Sequence, residues 1–83
     1  MANELGKTIK EIREVKGIDQ ESLGASMGMT RAAVSNYESG KREVPTEKIK
    51  CIARHLGVNE LDLLELRIRE QISATIADFK DSQ

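Results

Sequence analysis

The sequence predicts an all-α protein, a compact bundle of five helices in which the fifth helix is long and extends beyond the core. Apolar residues recur at spacings of three and four along successive segments, which is the period of one helix face. Glycines separate these segments, and glycine commonly follows the last residue of a helix. No glycine or proline interrupts residues 60–83, so one continuous helix is expected there.

Composition limits the classes of protein that this chain can represent. Eighty-three residues are enough for one domain, and the single Cys51 cannot form an intrachain disulfide. With His55 as the only histidine, we expect no metal site and no cofactor. Cys51 is expected to be a half-buried apolar side chain and His55 a surface residue. The chain has no apolar run of about 20 residues and no signal-peptide pattern, which favours a cytoplasmic protein without membrane contact.

The first helix is predicted over residues 3–16, where Leu5, Ile9, Ile12 and Val15 or Lys16 recur at helical spacing. Gly17 ends it. Asp19 then has the acceptor side chain of an N-cap and is expected to start the second helix.

Residues 20–39 are predicted to form two short helices joined by a tight turn. Gly28 can adopt a positive φ at this turn, and Thr30 can cap the helix that follows. The apolar positions of the pair are Leu23, Met27, Val34 and Tyr37. The face that remains on the second helix offers a cation, a methyl group, a hydroxyl and an amide, from Arg31, Ala32, Ser35 and Asn36. Such groups are able to read base edges in the major groove of DNA.

In this register the stretch resembles the helix-turn-helix of the lambda-repressor-like (xenobiotic-response-element type) regulators of bacteria and phages. That family has a small residue at the fifth of twenty positions, glycine at the ninth, a β-branched residue at the fifteenth and a large apolar residue at the eighteenth. With Gln20 as the first position, these are Gly24, Gly28, Val34 and Tyr37. The resemblance implies a DNA-binding domain over residues 1–64. The chain departs from a minimal domain of that family in a helical extension over residues 65–83, which is expected to be a dimerisation element.

The resemblance also implies roles for individual residues. Base contacts are expected from Arg31, Ala32, Ser35 and Asn36. Phosphate contacts are expected from Gln20 and Thr30 at the starts of the two helices and from Lys41 and Arg42 in the loop after them. Glu38 is an acid in a helix that should face DNA, and in the family this position pairs with an arginine of the first helix. Arg13 is at the matching place, so a structural salt bridge between Arg13 and Glu38 is expected.

The fourth helix is predicted over residues 46–56, with Thr46 as its cap and Gly57 after its end. Its buried face is expected to consist of Ile49, Ile52, Ala53 and Leu56. Asn59 and Asp62 then resemble a capping box at the start of the fifth helix.

An apolar stripe runs along the fifth helix at a mean spacing of 3.6 residues, through Leu61, Leu64, Ile68, Ile72, Ile76 and Phe79. A compact core is expected to need only Leu61 from this set. Ile68, Ile72, Ile76 and Phe79 would then form a partner surface, which we expect to be a homodimer interface. Folding of the helix back over its own domain is the alternative. Membrane binding is disfavoured because the helix is acidic, and a strict coiled coil because polar residues would lie on its seam.

The basic residues are concentrated in the part of the chain that contains the proposed contacts. Through Asn59 there are ten Lys and Arg against eight Asp and Glu, and from Glu60 onward three against six. The overall charge of −1 therefore combines a balance of +2 in the first part with −3 in the tail.

These observations favour a sequence-specific double-stranded DNA-binding regulator, and by default a dimeric repressor that reads a palindromic operator. Short phage repressors and the controller proteins of restriction–modification systems are similarly sized. The alternative is a DNA-binding antitoxin or interaction module whose last helix covers a partner protein. No nucleophile with an adjacent base or phosphate-binding glycine loop supports an enzyme, and no small-molecule ligand is evident.

Overall fold

Five α-helices follow one another in the computed structural model, which describes residues 4–81 but not the side chains of Ala74 and residues 77–81. They are α1 (Glu4–Val15), α2 (Gln20–Ser26), α3 (Arg31–Ser39), α4 (Thr46–Leu56) and α5 (Glu60–Asp81). The described residues contain no strand, so the predicted all-α class and the five helices are confirmed. Within the same range no helix is long and apolar enough to cross a membrane.

Side chains cap the helix starts at three of the predicted positions. At the start of α5, Asn59 Oδ1 accepts a hydrogen bond from the Leu61 amide at 2.9 Å. The Oδ1 atom of Asp19 accepts a hydrogen bond from the Ser22 amide at 2.7 Å, and Thr30 Oγ1 accepts from the Ala33 amide at 3.2 Å. The prediction for Thr46 is wrong. Pro45 occupies the cap position in extended geometry, and no side-chain hydrogen bond caps α4 in the described structure. Since Pro45 has a fixed φ and already stands at the cap, Thr46 becomes the first helical residue.

Residues from all five helices, from the turn after α2 and from the loop between α3 and α4 form the core. α1 packs against α3, α4 and α5, and α2 packs against α3 and α4. The most enclosed side chains have less than 2% of their surface exposed. The loop between α3 and α4 contributes Val44, which packs with the helices. The core consists of Leu5, Ile9, Leu23, Met27, Val34, Tyr37, Val44, Ile49, Ile52, Ala53, Leu56 and Leu63.

Gly24 allows α2 to approach the start of α3 closely. A Cβ atom at this position would lie 2.8 Å from the Met29 carbonyl oxygen and 3.1 Å from that of Thr30. The Met29 amide also donates to the Gly24 carbonyl at 2.8 Å, so the turn cannot move away without losing this bond. The small residue at this position is therefore required by contact with backbone atoms.

Substitution of Gly24 by alanine is expected to lower the free energy of unfolding by roughly 1–3 kcal/mol, because the added methyl group overlaps backbone atoms that cannot rotate away. Urea denaturation measures this change. Ala25→Ser, on the exposed side of the same helix, is the matched control and should stay within about 0.5 kcal/mol. A Gly24→Ala protein as stable as the control would contradict the close approach.

The face of α5 that meets the core differs from the predicted one. Leu61 is 65% exposed, whereas Leu63 is buried and Arg67 is only 6% exposed. The expectation that Leu61 packs in the core is therefore wrong. The core-facing positions 63 and 67 lie one helical turn apart, but the second carries a charged group. Because the prediction used hydrophobic spacing alone, it placed the neighbouring stripe, which begins at Leu61, against the core.

α5 stays in contact with the other helices as far as Glu70. Its Oε1 atom accepts a hydrogen bond from the Leu5 amide at 2.7 Å and so satisfies one of the free amides at the start of α1. Contact with the core thus continues past Leu64, the expected end of the domain.

Cys51 is exposed, which corrects the expectation that it is half-buried. Each helical residue is rotated by about 100° from the one before it, and Cys51 falls outside the stripe that Ile49, Ile52 and Leu56 fill. His55 is exposed, as predicted.

Candidate nucleic-acid interface

α3 presents one buried face and one face open to solvent. Val34, Tyr37 and Glu38 are buried against the other helices. Of the four residues expected to contact bases, Arg31, Ala32 and Ser35 are exposed, and Asn36 is half-buried. The first turn of α3 is therefore the most accessible part of this face.

A buried ion pair joins α1 to α3 beneath this surface. Arg13 Nε lies 2.7 Å from Glu38 Oε2, and Arg13 Nη2 lies 3.1 Å from Glu38 Oε1. A third donor, Nη1, binds the Ile18 carbonyl at 2.8 Å. The hydrogen bond to Glu38 raises the pKa of Arg13 above its ordinary value despite burial, so the guanidinium remains charged. Two parallel bonds of this kind fix the orientation as well as the distance of the two helices.

Gln20 extends this network from the interior to the surface. Its Nε2 atom donates to Glu38 Oε1 at 2.9 Å, and its Oε1 atom lies 3.5 Å from Arg31 Nε. A carboxamide has two N–H donors, so one of them can still meet a phosphate. Arg31 is thereby linked through Gln20 to the buried pair, at the edge of an open depression that is lined by Arg13, Asp19, Gln20, Glu21 and Arg31.

The loop after α3 holds two exposed cations. Gly40 ends the helix with a φ of 82°, and Lys41 and Arg42 follow it on the surface. The Arg42 amide donates to the Asn36 carbonyl at 3.2 Å, which holds the loop against α3. Thr30 is exposed at the other end of α3, and its hydroxyl can donate to a phosphate while its oxygen caps the helix.

Leu64 packs against the core, and beyond it the described residues of the apolar stripe on α5 point away from the core. Ile68 and Ile72 are each 54% exposed, and Ile76 is 50% exposed. This part of α5 therefore does not fold back over its own domain. The side chain of Phe79, the fourth residue of the expected interface, lies outside the described residues.

Two charged residues of α5 were missed by reasoning from the sequence. Arg67 contacts the loop between α3 and α4, and Glu70 binds the start of α1. Both look like ordinary surface residues of an acidic helix. The available signal was position, because Arg67 and Glu70 follow Leu63 at intervals of four and three.

The helix-turn-helix family profile matches residues 9–63, which include α2, the turn, α3 and the buried pair. The chain belongs to the helix-turn-helix family. Members of this family are DNA-binding transcriptional regulators, and the lambda-repressor-like resemblance of residues 20–39 is thereby confirmed.

Several relatives of this helix-turn-helix protein are regulators by name. It is 33% identical over 61 residues to the HTH-type transcriptional activator BcrR of Enterococcus faecalis, and 32% identical over 60 residues to the antitoxin PezA of Streptococcus pneumoniae. These alignments cover 74% and 72% of this chain but only 30% and 38% of the two relatives. The control protein C.BamHI of Bacillus amyloliquefaciens is 34% identical over 61 residues, which cover 72% of this chain and 75% of the relative.

A solved structure shares the fold of this helix-turn-helix protein. The clp gene regulator ClgR from Corynebacterium glutamicum superposes with a TM-score of 0.69 at 24% identity. The match covers 94% of this chain and 84% of ClgR, so the likeness includes most of α5.

Proposed function

We propose that this protein is a dimeric repressor that recognises a palindromic operator through the major groove. The observation that carries the proposal is the exposed first turn of α3, whose angle to the rest of the domain is held by the buried pair of Arg13 and Glu38. A helix held in this way can be placed in the groove without first being ordered, which lowers the entropic cost of binding.

The exposed side chains of α3 match the chemistry of base edges. Arg31 has the forked donor group that binds guanine O6 and N7, and Ala32 presents a methyl group to a thymine methyl. Asn36 is half-buried and is suited to an adenine edge or a phosphate at the rim of the contact. Ser35 is a weaker donor on the same face.

Four residues that flank this surface are proposed to bind phosphates. Gln20 and Thr30 stand at the starts of α2 and α3, and Lys41 and Arg42 stand in the loop after α3. Contacts of this kind set the register of a protein on the duplex, while the base contacts give specificity. The acidic balance of the tail favours an arrangement in which α5 is kept away from the DNA.

The stripe of Ile68, Ile72, Ile76 and Phe79 is proposed to form the homodimer interface. Support comes from the three described isoleucines, which are exposed on consecutive turns and would be covered by the same surface of a second copy. A two-fold dimer places its two recognition helices roughly 34 Å apart, one turn of DNA, and therefore reads an inverted repeat.

Selection of bound duplexes from a random pool at defined salt tests the proposal directly. The expected result is an enriched inverted repeat with its two half-sites about one helical turn apart. Enrichment of a single half-site would contradict the proposal that the operator is palindromic. The absence of any enriched sequence would overturn the DNA-binding proposal as a whole. Transcription from a promoter that contains the selected site then distinguishes repression from activation.

Arg31→Ala is expected to weaken operator binding by roughly 1–3 kcal/mol and to relax the preference at one base pair of each half-site. The physical reason is the loss of a forked donor that only one base pair satisfies in full. Binding titrations against the selected operator and its single-base variants measure both effects. Arg54→Ala, which removes the same charge from α4 outside the proposed contact set, is the control. Unchanged affinity and preference in Arg31→Ala would exclude Arg31 from base recognition.

An antitoxin is the second candidate function, because PezA is among the relatives and the stripe on α5 could cover another protein. The mass of the purified protein in solution separates the two candidates. A stable dimer supports the repressor proposal. A monomeric or insoluble product supports the antitoxin proposal, in which a different protein covers the stripe.

A further inference from the structure

Arg67 is a buried cation that the proposed function does not yet use. It lies on the core side of α5, and only 6% of its surface is exposed. Its Nη2 atom donates a hydrogen bond to the Val44 carbonyl, and its Nη1 atom lies 3.8 Å from Glu43 Oε1. Its Nε atom is buried and has no hydrogen-bond partner among the described residues.

Both partners of Arg67 belong to the loop between α3 and α4. This loop follows Gly40 and contains the two exposed cations, Lys41 and Arg42. Its first half is held to α3 by the bond from the Arg42 amide to the Asn36 carbonyl. Its second half is held by the burial of Val44 and by the guanidinium of Arg67. Arg42 therefore carries the first anchor, to α3, and Lys41 lies between that anchor and the end of α3. The second anchor, to α5, follows at Val44.

Burial of Arg67 carries costs that its contacts with the loop have to offset. A buried charge loses its hydration, and the nearest carboxylate, that of Glu43, is largely exposed and only in loose contact. One guanidinium donor also remains unsatisfied, which adds to the cost of burial. An apolar side chain of similar length would avoid these costs, but it would leave the Val44 carbonyl without its donor and the loop without its link to α5.

We propose that Arg67 is a positioning residue for DNA binding, which holds the loop of residues 41–44 so that Lys41 and Arg42 meet the phosphate backbone. The inference rests on the proposed DNA-binding function and adds a link between α5 and the DNA-contact loop. A change in the position of α5, such as that caused by pairing with a second copy, would reach the loop through this contact. Arg67 itself does not touch DNA.

The experiment compares Arg67→Met with Lys41→Ala/Arg42→Ala and with the combination of all three substitutions. Binding to the selected operator is measured over a range of salt concentrations, at a temperature where circular dichroism shows each protein to be folded. Arg67→Met is expected to weaken binding roughly three- to tenfold and to reduce the slope of log K against log salt by about 1, because loop phosphate contacts are lost. In the combined variant the Arg67→Met effect should largely disappear, since the cations that it positions are absent.

The matched control is Arg69→Met, which removes the same charge from the same helix. Arg69 is exposed and paired with Glu65 at 2.8 Å, away from the loop. This control is expected to keep the wild-type salt slope. A purely structural role of Arg67 would lower the melting temperature and leave the salt slope of the folded protein unchanged.

Hydrogen exchange of the Arg42 amide gives a readout that needs no DNA. Its bond to Asn36 should open more often without the second anchor, so its exchange should accelerate in Arg67→Met and not in Arg69→Met. Arg67→Gln, which removes the guanidinium donors that contact Val44 and Glu43, replaces Arg67→Met if that protein does not fold. The inference would be overturned if folded Arg67→Met kept the amide exchange rate and the salt slope of the unmodified protein. It would also be overturned if the losses in binding from Arg67→Met and from Lys41→Ala/Arg42→Ala were additive. Lack of operator binding by the unmodified protein would instead overturn the proposed function.

Discussion

Glu38→Ala is expected to lower the free energy of unfolding by about 3–5 kcal/mol, because it leaves the buried guanidinium of Arg13 without its carboxylate. Arg13 would keep only its bond to the Ile18 carbonyl, and Gln20 would lose its acceptor. Arg13→Ala should cost a similar amount, since it leaves a carboxylate in the same buried site. These are the largest stability losses expected from single substitutions of polar residues in this domain.

Urea denaturation at one fixed protein concentration measures both changes, since the stability of a dimer depends on concentration. The double variant completes a mutant cycle, and it should be clearly more stable than the sum of the single losses predicts. The exposed pair of Arg69 and Glu65 is the control, and its removal should change the free energy of unfolding by less than about 1 kcal/mol. Additive losses in the Arg13 and Glu38 cycle would show that the two side chains are not coupled.

Ile72→Asp is expected to break the proposed dimer and to weaken binding to the proposed complete operator by about 10²–10⁴-fold. The substitution places a charge in the middle of the exposed stripe of α5, where a second copy would have to bury it. Each domain would then bind its half-site alone, without the effective concentration that the linked partner provides. The fold should be retained, because Ile72 is exposed in the single chain.

Sedimentation equilibrium gives the oligomeric state, and titrations with full and half operators give the affinities. Ser73→Asp is the matched control, because it adds the same charge at an exposed position one residue away from the stripe. It should remain dimeric. Affinity for an isolated half-site should be the same in both variants and in the unmodified protein. An Ile72→Asp protein that stays dimeric would place the interface elsewhere.

Local patterns were sufficient to predict most of this fold. The apolar spacing within the first four helices, the caps at Asp19 and Thr30 and the positive φ at Gly28 depend on neighbours close in sequence. Side-chain spacing likewise identified the face of α3 that carries Arg31, Ala32 and Ser35. Such features can be predicted from the sequence because one helical turn spans fewer than four residues.

Two of the predictions were wrong because two local signals competed. Thr46 is a good capping residue, but Pro45 occupies the N-cap position of α4. On α5 the continuous apolar stripe at Leu61, Ile68, Ile72 and Ile76 was more regular than the side that packs on the core. That side combines Leu63 with Arg67 and Glu70, whose charges concealed its role.

The sequence by itself determined the all-α class, the helix-turn-helix register and the residues that α3 exposes. The pair of Arg13 and Glu38 was expected from the family resemblance, whereas only the tertiary structure decided the other polar contacts between helices. Gln20 bridges Glu38 and Arg31, Glu70 binds the start of α1, and Arg67 reaches the loop before α4. The reason is physical: helical periodicity is a local property, whereas the partners of a buried charge are set by distances between helices. Only the packing of the whole chain sets those distances.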